Sequence, residues 1–155
     1  MSGSERQLMA EARIERLSLE ECLRLLRGGS VGRIGVVVDE FPVVLPINYR
    51  LVETSGRTWV AVRTRPGNVI EQASANVAFE IDGIDPAQKQ GWSVLVRGTV
   101  HHVEAGTAYF RERWDSHPWL TAERDAWLIV SPVAITGRRV LSPASDWDVP
   151  NPAHL

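Results

Sequence analysis

The feature that most restricts how this chain can fold is a change of hydrophobic period at Arg33. Ahead of it, apolar residues recur at helical spacing. Beyond it, they alternate with polar ones every second position, in short runs rich in valine and isoleucine that end in turn residues. Such alternation turns one face of an extended segment toward a core, so the chain after Arg33 reads as a succession of strands. The expected strands cover residues 33–38, 43–49, 57–63, 77–82, 92–103 and 126–130, with turns at Asp39-Glu40-Phe41-Pro42 and Glu53-Thr54-Ser55-Gly56. In the third strand Thr58, Val60 and Val62 share one face, opposite Trp59 and Ala61. In the fifth, Trp92, Val94, Val96, Gly98 and Val100 share one face, and a strand of that length is expected to bend at Gly98.

A helix precedes the strands. In Leu17-Ser18-Leu19-Glu20-Glu21-Cys22, Ser18 and Glu21 have capping-box spacing and Leu17 and Cys22 the spacing of a hydrophobic staple. Leu19, Cys22, Leu23 and Leu26 form the expected apolar stripe, and Gly28 is placed to end the helix in the left-handed conformation. Further short helices are expected over residues 69–75 and 107–114, and an extended tail over 141–155. Six short strands joined by tight turns, interrupted by a helix after the third and another after the fifth, are the layout of a closed or partly closed antiparallel barrel. With 155 residues the chain has room for one ordinary core, so a single domain over residues 17–140 is expected, preceded by an N-terminal segment of residues 1–16.

The net charge is -2, and sixteen arginines with a single lysine, Lys89, are interspersed among nineteen acids. That pattern lacks the clustered basic footprint of a nucleic-acid binder. Apolar runs reach only about five residues, and residues 1–16 lack the apolar middle of a secretory signal, so no membrane association and a cytoplasmic location are expected. Cys22 is the only cysteine, which excludes an intrachain disulfide and a cysteine-rich zinc cluster.

Few residues point to chemistry by themselves. Gly28, Gly29, Gly32 and Gly35 follow a helix and precede a strand, the reverse of a dinucleotide fingerprint, and read as helix end and strand start. His101 and His102 are strand neighbours and face opposite ways, which rules out their gripping one metal together; one of the four histidines can still serve as an axial haem ligand. The acid pairs Asp82/Asp85 and Glu123/Asp125 border turns or a strand, and there is no G-x-S-x-G nucleophile elbow. The segment Arg63-Thr64-Arg65-Pro66-Gly67-Asn68-Val69 stands apart. Two guanidiniums, a hydroxyl and an amide meet between a strand end and a helix start, a place suited to an anion, although composition alone favours a solvated loop with surface arginines. Pro46 withholds one N–H from its strand, as at an edge or a bulge against a ligand.

The order of segments resembles the pyridoxamine 5'-phosphate oxidase-like family of flavin-binding split barrels. The resemblance rests on the 17–22 helix start, Val31-Gly32-Arg33, Pro42-Val43-Val44-Leu45-Pro46-Ile47-Asn48-Tyr49, Arg63-Thr64-Arg65-Pro66-Gly67-Asn68, Val77-Ala78-Phe79-Glu80-Ile81-Asp82, Gly91-Trp92-Ser93-Val94-Leu95-Val96-Arg97-Gly98 and Ile135-Thr136-Gly137-Arg138-Arg139. The leading helix and the tryptophan-serine strand are also similar to a nitroimidazole-reductase-like branch. The resemblance implies a mainly β fold, a six-stranded antiparallel split β-barrel with short flanking helices. It further implies a homodimer with two cofactor sites at the interface. Pro46, Asn48 and Tyr49 would line the ring system; Arg63, Thr64, Arg65 and Asn68 would hold ribityl and phosphate groups; and Trp92, Ser93 and Val94 would complete the cleft.

Relatives commonly place a lysine after the loop glycine, where this chain has Asn68, so either the phosphate charge falls to Arg63 or Arg65, or the site takes a different cofactor or stays empty. The implied cofactor is FMN, with deazaflavin as an alternative and haem as a lesser one. The implied activity passes hydride or electrons from the reduced cofactor to a small planar acceptor, with no catalytic side chain nominated. The alternative is a non-catalytic flavin or haem binding protein acting as carrier or sensor.

Overall fold

The computed structural model describes residues 13–64, 70, 73, 75–102 and 126–141. Along them run β1 (Arg13–Arg16), α1 (Leu19–Gly28), β2 (Val31–Val38), β3 (Phe41–Thr54), β4 (Arg57–Thr64), β5 (Asn76–Asp85), β6 (Gln90–His102) and β7 (Ala126–Leu141). All pairings are antiparallel, and the order β7-β4-β3-β2-β5-β6 closes on itself because β6 pairs back with β7. The result is the expected six-stranded split barrel, with β1 added along the far part of β7. The expected helices over 69–75 and 107–114 and the tail after Leu141 lie outside the described residues, apart from Ile70, which is buried in the core, and Ala73, which packs against it.

Alternation fills the barrel. Ile34 and Val36 from β2, Ile47 and Tyr49 from β3, Val60 and Val62 from β4, Phe79 and Ile81 from β5, Val94 and Val96 from β6, and Leu128 and Val130 from β7 all point inward and are buried. Each large apolar side chain so buried contributes roughly 1.5–3 kcal/mol. The opposite face of β4 is covered as well: Ala61 and Trp127 form a second small cluster with Val52 and Ile129 on the outside of the wall.

Both tight hairpins use two-residue turns. Asp39 and Glu40 have φ of 48° and 68°, and Ser55 and Gly56 have 50° and 73°. Paired positive φ values match the twist of the flanking strands. This shortens the expected four-residue turns, so β3 begins at Phe41 and runs on to Thr54.

Three elements differ from the sequence reading. The first is β1, whose Arg-Ile-Glu-Arg sequence carries no strand pattern and is held extended by pairing with residues 138–141 of β7. The second is β7, which continues past Val130 to Leu141. Pro132 suggests a stop there, but the ladder to β6 absorbs it at a register shift, where Gly98 pairs with Pro132, Arg97 with Ala134, and Val133 is left over and exposed. Gly98 is the expected bend, and a Cβ there would run into the Ser131 carbonyl.

The third is the end of α1. Gly28 stays helical, and Gly29 leaves in an extended conformation with φ -99° and ψ 167°. No left-handed cap is needed because the chain passes straight into β2. Glycine is required at position 29 for space, since a Cβ would collide with the Tyr49 hydroxyl. Leu19, expected on the buried stripe, is 58% exposed, and Cys22 and Leu26 carry the buried contact.

The start of α1 matches its sequence signal. The Ser18 hydroxyl accepts from the Glu21 N–H at 3.2 Å, and the Glu21 carboxylate accepts from the Ser18 N–H at 2.9 Å. Leu17 and Cys22 pack together over Gly137 of β7, where a Cβ would strike both. Burial raises the Cys22 thiol above its ordinary value, with the neighbouring Glu21 charge adding to it.

Tyr49 fastens the helix to the barrel. Its side chain is 1% exposed, its hydroxyl donates to the Leu26 carbonyl at 2.8 Å, and its ring meets Phe79 edge-on at 4.8 Å and 61°. Burial pushes its phenol up to about 12. Tyr49→Phe leaves that buried carbonyl without its donor and is expected to lower unfolding stability by about 1 kcal/mol in urea titrations. A pH effect is expected from Glu21, whose carboxyl is held below its ordinary 4.5 chiefly by the Ser18 N–H and hydroxyl and secondarily by Arg139. Its contribution is fully present above pH 4.5 and disappears as pH falls through the lowered folded value. The melting-temperature advantage of wild type over Glu21→Gln, followed by circular dichroism, should therefore shrink below pH 4.5.

Candidate functional site

The site begins where β3 changes neighbour. Residues 41–48 pair with β2, whereas residues 49–54 pair with β4. On the other side of the divide, β4 turns toward β7, with Arg63 opposite Trp127 and Thr64 opposite Ala126. Two strands that separate in this way leave a wedge between Pro46 and Asn48 on one side and Arg63 and Thr64 on the other.

Backbone direction decides what faces the wedge. The Tyr49 N–H donates to the Ser30 carbonyl at 2.9 Å, on the β2 side. Peptide groups alternate along a strand, so Asn48 turns its N–H and C=O toward the wedge, and Pro46 turns there a nitrogen that carries no hydrogen. Among the described residues no strand pairs with that edge. Pro46 and Asn48 are exposed, Arg63 is half-buried, and Thr64 is 5% exposed. The opening thus combines an apolar ring, one backbone donor and acceptor, and a guanidinium, while Thr64 shares the inward face of Val60 and Val62. Arg65 and Asn68 lie outside the described residues.

The side chains of two expected site residues turn inward. Tyr49 was expected to line a ring system, but a one-residue step along a strand reverses the face, and its side chain is spent on the helix contact inside the barrel. Val94 is also fully buried, between Ile81 and Gly137, and faces the core rather than a cleft.

Trp92 and Ser93 are half-buried on β6. The Trp92 indole lies over Gly83, where a Cβ would collide with it. Ser93 sits on the outer face between Asp82 and Arg138. Because β6 is three strands from β3 along β3-β2-β5-β6, the wall separates these residues from the wedge by about 14 Å within one chain.

Arg33 was singled out in the sequence only as part of a strand-start motif, and it stands in register with Pro46. Its guanidinium meets Glu80 at 3.0 Å and also Asp82, and the two carboxylates raise its already high pKa, Asp82 foremost. This charge borders the wedge and is already balanced. The only advance signal was the motif, since its partners are nearly fifty residues away along the chain. His101 and His102 are both exposed, and His101 contacts the Thr99 hydroxyl at 3.0 Å. Among the described residues no three ligating side chains cluster as for a metal, and no helix is long and apolar enough to cross a membrane.

Comparison with known proteins agrees with this fold. An uncharacterised protein of Mycobacterium tuberculosis is 30% identical over 147 residues, covering 90% of this chain and 95% of that protein. The structure of an FAD binding protein from Mycobacterium smegmatis is 34% identical and superposes with a TM-score of 0.60 over 82% of this chain and 98% of that one. An FAD-binding protein from Mesorhizobium loti, at 20% identity, shares the fold with a TM-score of 0.65 over 83% of this chain and 98% of that one. The profile of the pyridoxamine 5'-phosphate oxidase family matches residues 18–139, from the helix cap to the arginines of β7. With that match spanning the barrel and the wedge alike, the chain belongs to the pyridoxamine 5'-phosphate oxidase family.

Proposed function

We propose that this protein binds a flavin in the wedge between β3 and β4 and passes hydride or electrons from its reduced form to a small planar acceptor. The observation that carries this reading is the edge of β3 at Pro46 and Asn48, next to Arg63, with which no described strand pairs. That edge fits the group. A flat heteroaromatic ring can lie against Pro46 without meeting an N–H, while the Asn48 peptide offers a donor and an acceptor to the polar rim of the ring.

Arg63 supplies the fork that suits a phosphate. Asn68, where relatives commonly carry lysine, leaves the fixed charge to the arginines. When bound, the flavin supplies the redox chemistry, and the chain's own residues bind and orient it and exclude water. The FAD-binding relative at 34% identity supports the flavin class; FMN is our proposal for the form, because the wedge has one evident anion-holding end.

The reading includes a homodimer. Trp92 and Ser93 lie too far along the wall to reach the wedge of their own chain, and a second copy can bring its β6 against it. Size-exclusion chromatography with light scattering should give a dimer, and a monomer that binds flavin with full affinity would remove that part.

The test is titration of purified protein with FMN, FAD and deazaflavin, followed by visible absorbance. Arg63→Ala is expected to weaken binding of the phosphate-bearing cofactor by about 1.5–3 kcal/mol, the range for a charge-assisted hydrogen bond. Equal affinity in wild type and Arg63→Ala places the cofactor elsewhere. Bound flavin that is reduced but fails to turn over with quinone or nitroaromatic acceptors turns the reading toward a carrier.

A further inference from the structure

The outer margin of β7 carries two cations with no acid to answer them. Arg16 on β1 and Arg138 on β7 are direct partners in the antiparallel ladder and are both exposed. Side chains so opposed share a face, with Cβ atoms about 4.5–5.5 Å apart, and like charges in that arrangement destabilise the pair. The nearby acids are engaged elsewhere. Glu15 meets Arg13 at 2.6 Å, Glu21 serves the helix cap and Arg139 at 3.6 Å, and Glu80 and Asp82 hold Arg33. Among the described residues neither Arg16 nor Arg138 has an ion-pair or hydrogen-bond partner.

The two arginines border a pocket of about 500 Å³, also lined by Ile14, Leu17 and residues 135–137. The pocket has a topological cause. On this edge β7 pairs with β4 up to Val130 and with β1 only from Arg138, and the Leu17 N–H reaches the Gly137 carbonyl at 3.0 Å. No described strand covers the stretch between, and the Thr136 hydroxyl, two residues from Arg138 and on its face, opens there.

We infer that this gap is a second binding site, for a small doubly negative oxyanion. Two guanidinium forks present donors only and match a phosphate or a pair of carboxylates, and Thr136 adds a hydroxyl. Ile14 and Leu17 give the apolar wall that a short organic chain between two charges requires. The volume falls in the range of small-molecule pockets. Binding relieves the repulsion between the two arginines, so the ligand and the β1–β7 contact reinforce each other. The site uses neither Arg63 nor the β3 edge, but Arg138 is the ladder partner of Ser93, which the proposed dimer carries to the other copy's wedge, so the Arg63→Ala variant is the control that separates the two.

Calorimetric titration of the full chain at low salt with inorganic phosphate and, separately, with succinate tests the site. Saturable binding of at least one probe is expected with a Kd at or below about 1 mM. Arg16→Gln and Arg138→Gln should each weaken it by about tenfold or more, while Arg13→Gln, already paired on the opposite face, should not. Succinate binding without phosphate binding, or the reverse, identifies which dianion the forks accept.

The ligand-free variants should melt no lower than wild type, because each removes a like-charge contact; should Arg138→Gln fail to fold, Arg16→Gln gives the same reading. No saturation by either probe, or equal affinity in the Gln variants, overturns the site. Loss of binding in Arg63→Ala also overturns it, by assigning the anion to the wedge.

Discussion

Closure of the barrel depends on β7 serving two edges at once. Along one edge it pairs with β6 over nearly its whole length, and along the other it serves β4 first and β1 afterwards. A flat strand cannot follow a closed wall that far, and the extra residue at Val133 supplies the turn. Gly98 makes the same bend possible from the other side, because only a missing side chain lets the Ser131 carbonyl come so close. Where β7 changes partner, no described strand covers the wall, and where β3 does the same, no described strand pairs with its edge at Pro46 and Asn48. Both openings follow from a barrel whose strands exchange neighbours partway along their length.

The helix is the second support. α1 lies over one end of the barrel with Cys22 and Leu26 inside, and Tyr49 ties its last turn to β3 through a buried hydroxyl. The outer surface adds a bidentate contact between Arg27 and Glu53, at 2.6 and 2.7 Å, joining the end of the helix to the far end of β3. The pair holds Glu53 below its usual carboxylate range, yet it is solvent-exposed and contributes little beside the buried contacts. Burial and one well-placed hydroxyl position the helix, and the ion pair only decorates its rim.

Local patterns carried most of the architecture. The capping box needs only Ser18 and Glu21, and alternation marks every strand of the ring, because both signals span a few residues. Elements that depend on distant partners were not legible. Arg13–Arg16 is extended only because β7 is there to receive it, and Pro132 reads as a stop until the bulge that absorbs it is known. The site was legible in part for the same reason: the polar residues at the end of β4 and the proline of β3 stand out in the sequence. Alternation cannot say which of Asn48 and Tyr49 points inward, because that is fixed by register and by a helix carbonyl 23 residues away. Arg33 likewise acquires its meaning from acids on β5.

The placement of Tyr49 joins folding to recognition. The residue that leaves β2 for β4 is the same one that locks the helix, so the angle at which the two strands part is set from inside the barrel. A molecule seated in the wedge braces those strands from outside, and its binding energy must then appear as added resistance to unfolding. Conversely, substitutions that loosen packing around the phenol ring would alter the shape of the opening without touching any group in it, so drift in the interior offers this scaffold a route to new ligand preferences.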